Sequence, residues 1–223
     1  MSGTLIVLEG LDGSGKATQA QMLFEHLTSR GLSAKKITFP DYDSPSSALV
    51  RMYLSGEFGT DPDAVNAYAA SSFYAVDRYA SYKKHWERFY QEGGIIVADR
   101  YTSSNAVHQC SKLDQAEWDG FLEWLLQYEH HLLGIPAPDL VFYLSVDPKV
   151  SQELMRQRYQ GDESRKDIHE RNLDYLNRSR AAAEYCAGKL GWRRVECAEK
   201  GAMRSRESIS ADINARVDEF LKK

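Results

Sequence analysis

The chain has 223 residues, 43% of them hydrophobic, enough for one sizeable core and crowded for two domains. A formal net charge of −4 excludes the basic footprint of a nucleic-acid binder. Cys110, Cys186 and Cys197 are odd in number and lack CxxC spacing, so they read as reduced thiols of a cytoplasmic protein and exclude a disulfide framework or a zinc site.

The apolar run Leu5 to Leu8 is too short for a signal-peptide core, and no run approaches the roughly 20 apolar residues of a membrane span. There is no repeat, low-complexity tract or linker. Short apolar runs alternate with longer amphipathic stretches, which predicts one α/β domain over residues 1–223 with a parallel sheet.

The first strand is expected at Thr4–Glu9, where four consecutive apolar residues suit burial on both faces. A helix follows, with Ala20, Leu23, Phe24 and Leu27 on one face and Gly31 as its stop. The second strand is expected at Ala34–Phe39. Asp61 as N-cap and Pro62 at the first helical position predict a long helix running towards Tyr90. A third strand, Ile95–Asp99, leads into a polar helix, and further strands are expected at Leu140–Val146 and Trp192–Glu196. Ile209, Ile213, Val217 and Phe220 give the last helix its apolar stripe. Such open sheets bind ligands beyond the carboxyl ends of their strands, so the residues just after each strand matter most.

After the first strand come Gly10, Leu11, Asp12, Gly13, Ser14, Gly15, Lys16, Ala17 and Thr18. This is G-x-x-x-x-G-K between a strand and a helix, the P-loop pattern. Glycines let successive N–H groups converge on phosphate oxygens, the helix adds its positive end, and Lys16 reaches the β and γ phosphates. A bland glycine-rich turn with an incidental lysine does not explain the strand and helix on either side. The position after the lysine normally carries a hydroxyl for Mg²⁺, and here it is Ala17. Thr18 is turned about 100° away on the helix, so a water is expected to fill the place and metal dependence to persist with a weakened site.

The third strand ends in Asp99, Arg100 and Tyr101. An acid there, beside a P-loop, is a candidate partner of Mg²⁺, and the Arg100 fork suits phosphates. Taken alone, the pair reads first as a structural Asp–Arg contact at a strand end, and the P-loop beside it shifts the reading to function. Tyr74 and Arg78 share a helix face and suit a flat base and its acceptor edge, although an aromatic core residue beside a solvated arginine has the same pattern. Asn105, His108 and Gln109 recur at helical spacing, and Asn105 can both donate and accept. Phe39 and Tyr42 stand after the second strand.

Residues 151–172 carry basic residues, four arginines and Lys166, and acids in equal number. They read either as a solvated helical face or as a helical lid that brings arginines onto the transferring group. Arg158 and Arg165, flanking the break around Gly161, are the candidates.

Together these motifs resemble the thymidylate kinases along nearly the whole chain: Leu8 to Gly13 into the P-loop, Phe39–Pro40, Tyr74 to Arg78, Asp99–Arg100–Tyr101 with Ser104 and Asn105, and Pro138–Asp139–Leu140. The resemblance implies the P-loop NTPase fold, a five-stranded parallel sheet flanked by helices with a helical lid, and a homodimer. It implies transfer of the γ-phosphoryl group of ATP to dTMP with Mg²⁺. Asp12 would approach the acceptor's sugar or phosphate and Lys16 the donor phosphates. Phe39, Tyr42 and Arg100 would frame the acceptor phosphate; Tyr74 would stack on thymine, with Arg78 and Asn105 at its polar edge. His108 stands where the family often has Tyr near the deoxyribose, and Gly13 and Ser14 are uncharged, which implies that the lid supplies the basic residue. A related kinase of deoxynucleosides or of other monophosphates, and a nucleotide-binding protein weakened by Ala17, are the alternatives.

Overall fold

A computed structural model of the chain describes residues 2–146, 150–151, 173–199 and 201–222. Five parallel strands, β1 (Thr4–Glu9), β2 (Ala34–Thr38), β3 (Ile95–Asp99), β4 (Leu140–Ser145) and β5 (Arg193–Glu196), lie in the order β2-β3-β1-β4-β5. The expected strands are recovered, with β2 and β4 each one residue shorter at the carboxyl end and β5 starting at Arg193. Their helices are α1 (Lys16–Ser29), α2 (Ala48–Ser55), α3 (Ala67–Ser81), α4 (Glu87–Gln91), α5 (Thr102–Cys110), α6 (Trp118–Leu126), α7 (Leu173–Lys189) and α8 (Arg206–Phe220).

β1 shows why the apolar run is continuous. Ile6 and Leu8 pack with Ala20, Leu23 and Leu27 of α1 and Ile209, Ile213 and Val217 of α8, while Leu5 and Val7 face Tyr82, Trp86 and Tyr101 on the other side. Alternate residues thus enter two cores. All four side chains are fully buried, each worth about 1.5–3 kcal/mol. A third core joins α5, α6 and α7 through Ala106, Cys110, Phe121, Leu125, Ala182 and Cys186.

The long helix needs correction. Asp61 accepts from the Asp63 amide and caps a single 3₁₀ turn, Pro62–Ala64, not the helix itself. α3 begins at Ala67 under a new cap, Asn66, which accepts from the Ala69 amide at 2.9 Å. The path towards Tyr90 then passes through a π-helical turn, Tyr82–Trp86, into α4.

β1 and β3 are paired so that Leu8 lies opposite Asp99, and β2 places Thr38 opposite Asp99 as well. The Phe39 amide donates to the Asp99 carbonyl at 3.0 Å, and the Arg100 amide to the Leu8 carbonyl at 3.1 Å. Three strand ends therefore converge on one crevice.

Candidate active site

The crevice is a cavity of about 810 Å³. Its donor wall is the loop from Asp12 to Thr18. Gly13 and Gly15 have φ of 79° and 88°, which only glycine adopts without strain. Gly10 is needed for a different reason: a β-carbon there would stand 2.9 Å from the Leu144 carbonyl oxygen. Gly10 and Leu11 shape the loop behind this wall. The N-cap of α1 is Gly15, which has no side chain to cap the first amides, and the first turn carries no acid. Those amides and the positive helix end are left for an anion.

Lys16 lies across this loop, donating to the Leu11 carbonyl at 2.9 Å, with Asp12 Oδ1 at 3.8 Å. Burial, and then the nearby Arg100, push its ammonium down to about 8; Asp12, Asp99 and Glu9 work the other way. Met203, Arg204 and Arg206 complete the donor wall from a hairpin of two-residue strands, β6 (Ala198–Glu199) and β7 (Ala202–Met203), and the start of α8. The sequence reading missed these three. Arg204 is fixed by the Glu196 carbonyl and by Asp212 at 2.7 Å.

Arg100 stands where the two walls meet. Its φ of 67° lies in the left-handed region, a conformation costing about 1–3 kcal/mol for a non-glycine residue. Side-chain contacts hold it there: Nη2 binds Asp12, and Nη1 donates to Ser104 Oγ and His108 Nε2, each at 3.3 Å. Burial opposes the guanidinium charge, but Asp12, Glu9 and Asp99 outweigh it and raise its pKa. Glu9 is fully buried, accepting from Ser103 and Ser104 at 2.7 Å and lying 3.7 Å from Arg100.

His108 is held neutral: burial first, and then Arg100, push its imidazole down to about 3. A guanidinium can only donate, so Nε2 accepts and the proton sits on Nδ1, facing the Tyr175 hydroxyl at 3.3 Å. That hydroxyl donates in turn to the His108 carbonyl at 3.3 Å. The rings of the two residues stack at 12°. His108 thus braces Arg100.

The other wall comprises Phe39, Tyr42, Tyr74, Arg78, Asn105 and His108, all lining the cavity. Phe39 is buried against Tyr101, Tyr42 is exposed, and Tyr74 is half-buried with its ring edge-on to Tyr53. Arg78 is no solvated arginine: it is 1% exposed and forms a bidentate pair with buried Glu129. Gln109 lines the same space, and both of its amide atoms are buried without a partner among the described residues. Glu129 escaped the sequence reading. An acid late in an apolar helix was its one signal.

Asp99 lines the cavity beside the loop, and Ala17 opens the first turn of α1 without an oxygen to offer. Among the described residues no cluster of three or more His, Cys, Asp or Glu side chains forms a metal cage. Asp99, lining the cavity, fits an ion such as Mg²⁺, which takes one or two carboxylates and leaves the rest of its shell to phosphates and water. Arg158 and Arg165 lie outside the described residues. No described helix is long and apolar enough to cross a membrane.

A glycine loop at the end of a central parallel strand, a lysine folded across it and a guanidinium opposite define a P-loop phosphotransferase. A family model described as thymidylate kinase matches residues 8–209. A thymidylate kinase of Mycobacterium tuberculosis is 30% identical over 191 residues, covering 84% of this chain and 87% of the relative. A probable thymidylate kinase of Pyrococcus horikoshii is 33% identical over 159 residues, or 71% of this chain and 72% of that one. A solved structure of thymidylate kinase from Candida albicans has the same fold, with a TM-score of 0.70 at 23% identity over 99% of this chain and 93% of that chain. The chain belongs to the thymidylate kinase family.

Proposed function

We propose that this protein transfers the γ-phosphoryl group of ATP to dTMP, giving ADP and dTDP. One observation carries the reading: the P-loop with Lys16 and the side chains of Tyr74, Arg78 and Asn105 line one cavity, with Arg100 contacting both Asp12 of the loop and His108. An oxygen of the acceptor phosphate forms the new bond to the γ-phosphorus as the bond to the ADP oxygen breaks. Positioning and charge stabilisation supply most of the acceleration in such transfers.

The loop amides and Lys16 hold the donor phosphates. Arg100, braced by His108, directs its fork at the acceptor phosphate, and Asp12 orients that fork. Phe39 and Tyr42 border the acceptor phosphate, Tyr74 stacks on the base, and Arg78 and Asn105 meet its polar edge. Asp99 is the residue that would hold Mg²⁺, which when bound would neutralise negative charge on the transferring phosphates. Arg158 and Arg165 are assigned to the transferring group from a lid at residues 151–172. Their alanine variants are expected to lower kcat with little change in KM for dTMP, and unchanged kcat in both removes that assignment.

We assign the active form as a homodimer. Tyr68, Val76 and Tyr79 of α3 are exposed, the Tyr68 ring lies edge-on to Trp124, and Leu132 is 70% exposed. Exposed apolar side chains of this size support an association face. Sedimentation at monomer mass would exclude the dimer.

The direct test is ADP release against a panel of dTMP, dUMP, dCMP and thymidine. Turnover is expected to be fastest with dTMP. ADP formation that ignores dTMP would overturn the assignment.

A further inference from the structure

We propose that Glu129 is the positioning residue that sets base selectivity, by fixing which hydrogen-bonding groups Arg78 and Asn105 turn towards the acceptor base. This rests on the acceptor being a pyrimidine monophosphate bound against that wall. Glu129 sits in the π-helical turn Gln127–Leu132 that extends α6, and it is fully buried. The wider π turn carries its carboxylate inward, between α3 and α5. Oε2 accepts from Arg78 Nε at 2.6 Å and Thr102 Oγ1 at 3.1 Å. Oε1 accepts from Arg78 Nη2 at 2.5 Å and Asn105 Nδ2 at 2.9 Å. Asn105 Nδ2 also donates to the Ser71 carbonyl at 3.1 Å.

A carboxylate and a backbone carbonyl can only accept. The amino end of Asn105 must therefore face Glu129 and Ser71, and the amide cannot flip. Oδ1, the end without an intramolecular partner among the described residues, is what Asn105 offers a ligand. Arg78 turns its Nε–Nη2 edge to the same carboxylate, which leaves Nη1 and the second hydrogen of Nη2 as its remaining donors. The wall presents one acceptor and the guanidinium as donor. Thymine and uracil match it with N3–H and O4, whereas cytosine sets an acceptor at N3 and an amino group at C4, opposing the wall at both places.

Burying a carboxylate is costly, and a buried ion pair is weak evidence for stability. Three of the four donors on Glu129 belong to Arg78 and Asn105, which line the cavity, and this ties the pair to recognition.

The test is Glu129→Gln. Its amide would place an amino group against Arg78 or Asn105, and Asn105 would turn its own amino group to the cavity to relieve the clash. The readout is the ratio of kcat/KM for dTMP to that for dCMP, which a smaller folded fraction would not move. The ratio is expected to fall by roughly tenfold or more, mainly through KM for dTMP, with dUMP falling in parallel with dTMP. Folded E129Q with the wild-type ratio would overturn the proposal.

If E129Q does not fold, the Asn105 side-chain amide resonance of the wild-type enzyme, assigned by its loss in Asn105→Ala, decides the matter. Its protons are expected to be protected from solvent exchange before and after dTMP is added. Freely exchanging protons in the unliganded enzyme would overturn the proposal. Wild-type enzyme with no preference for dTMP over dCMP would instead remove the acceptor assignment on which this rests.

Discussion

The donor end of the cavity is built from backbone, and the acceptor end from side chains. Amides of the loop around Gly13 and Gly15 make the phosphate cradle, and their geometry follows from a few consecutive residues. The acceptor wall draws Tyr74 and Arg78 from α3, Asn105 and His108 from α5, Glu129 from beyond α6 and Tyr175 from α7. Each of those side chains is held by a partner distant in sequence. The phosphate loop is therefore locally determined, whereas the acceptor wall, like the Met203–Arg206 part of the donor wall, depends on the whole fold having assembled.

The largest expected effect tests whether one side chain still dominates at the backbone end. Lys16→Ala should lower kcat by on the order of 10³, because a charge aimed at the transferring group is lost from a water-poor site. Its melting temperature should not fall, since burial already works against the Lys16 ammonium in the folded protein. Turnover within tenfold of wild type would strike Lys16 from the mechanism. The counterpart at the other end is Arg100→Lys, which keeps the charge and loses the fork that reaches Asp12, Ser104 and His108. A loss of about 10² in kcat/KM for dTMP is expected, because Lys cannot reproduce a multidentate contact. A near-normal lysine variant would mean that Arg100 supplies charge alone.

The same contrast decides what could be read in advance. The central strands β1, β3 and β4 were legible because strands buried on both faces are apolar almost without interruption, as Leu5 to Leu8 are. The P-loop was legible because its glycines answer backbone demands at fixed spacing. Asp61–Pro62 misled because a cap followed by proline starts a 3₁₀ turn as well as it starts an α-helix, and only packing chose Asn66. Arg78 was named for the base, but its pairing with Glu129, 51 residues away, is a tertiary event with no local signature. Met203 and Arg204 reach the donor wall on a hairpin too short to announce itself by alternation.

A smaller effect concerns protons at the donor end. Burial, and then Arg100, hold Lys16 at about 8, against an ordinary value of 10.5. Between those values the unfolded chain keeps a proton that the folded protein has released, so Lys16 makes stability rise with pH there. Below pH 8 both states are protonated and the cost of burying the ammonium is fully present. A bound triphosphate reverses the balance by favouring the ammonium. ATP binding should therefore take up a proton above pH 8, and the Kd for ATP should weaken about tenfold from pH 7 to pH 9. Calorimetry in buffers of different ionisation enthalpy measures that proton directly. A flat profile would place Lys16 away from the phosphates, while dTMP affinity over the same range serves as the acceptor-end control.

The smallest effect asks whether a single hydroxyl can be added to a site that backbone otherwise defines. Ala17 follows Lys16 in the first turn of α1, and Asp99 lines the same cavity from the end of β3. Ala17→Ser adds one oxygen at the position from which P-loop proteins usually reach Mg²⁺. One further ligand in place of water is worth on the order of 1 kcal/mol, so the Mg²⁺ concentration for half-maximal rate should fall a few-fold. At saturating Mg²⁺ kcat should stay within about twofold, because the loop amides and Lys16 are untouched. Superimposable magnesium titrations would mean that the ion does not approach this turn of α1, and that Asp99 and the phosphates carry the metal without it.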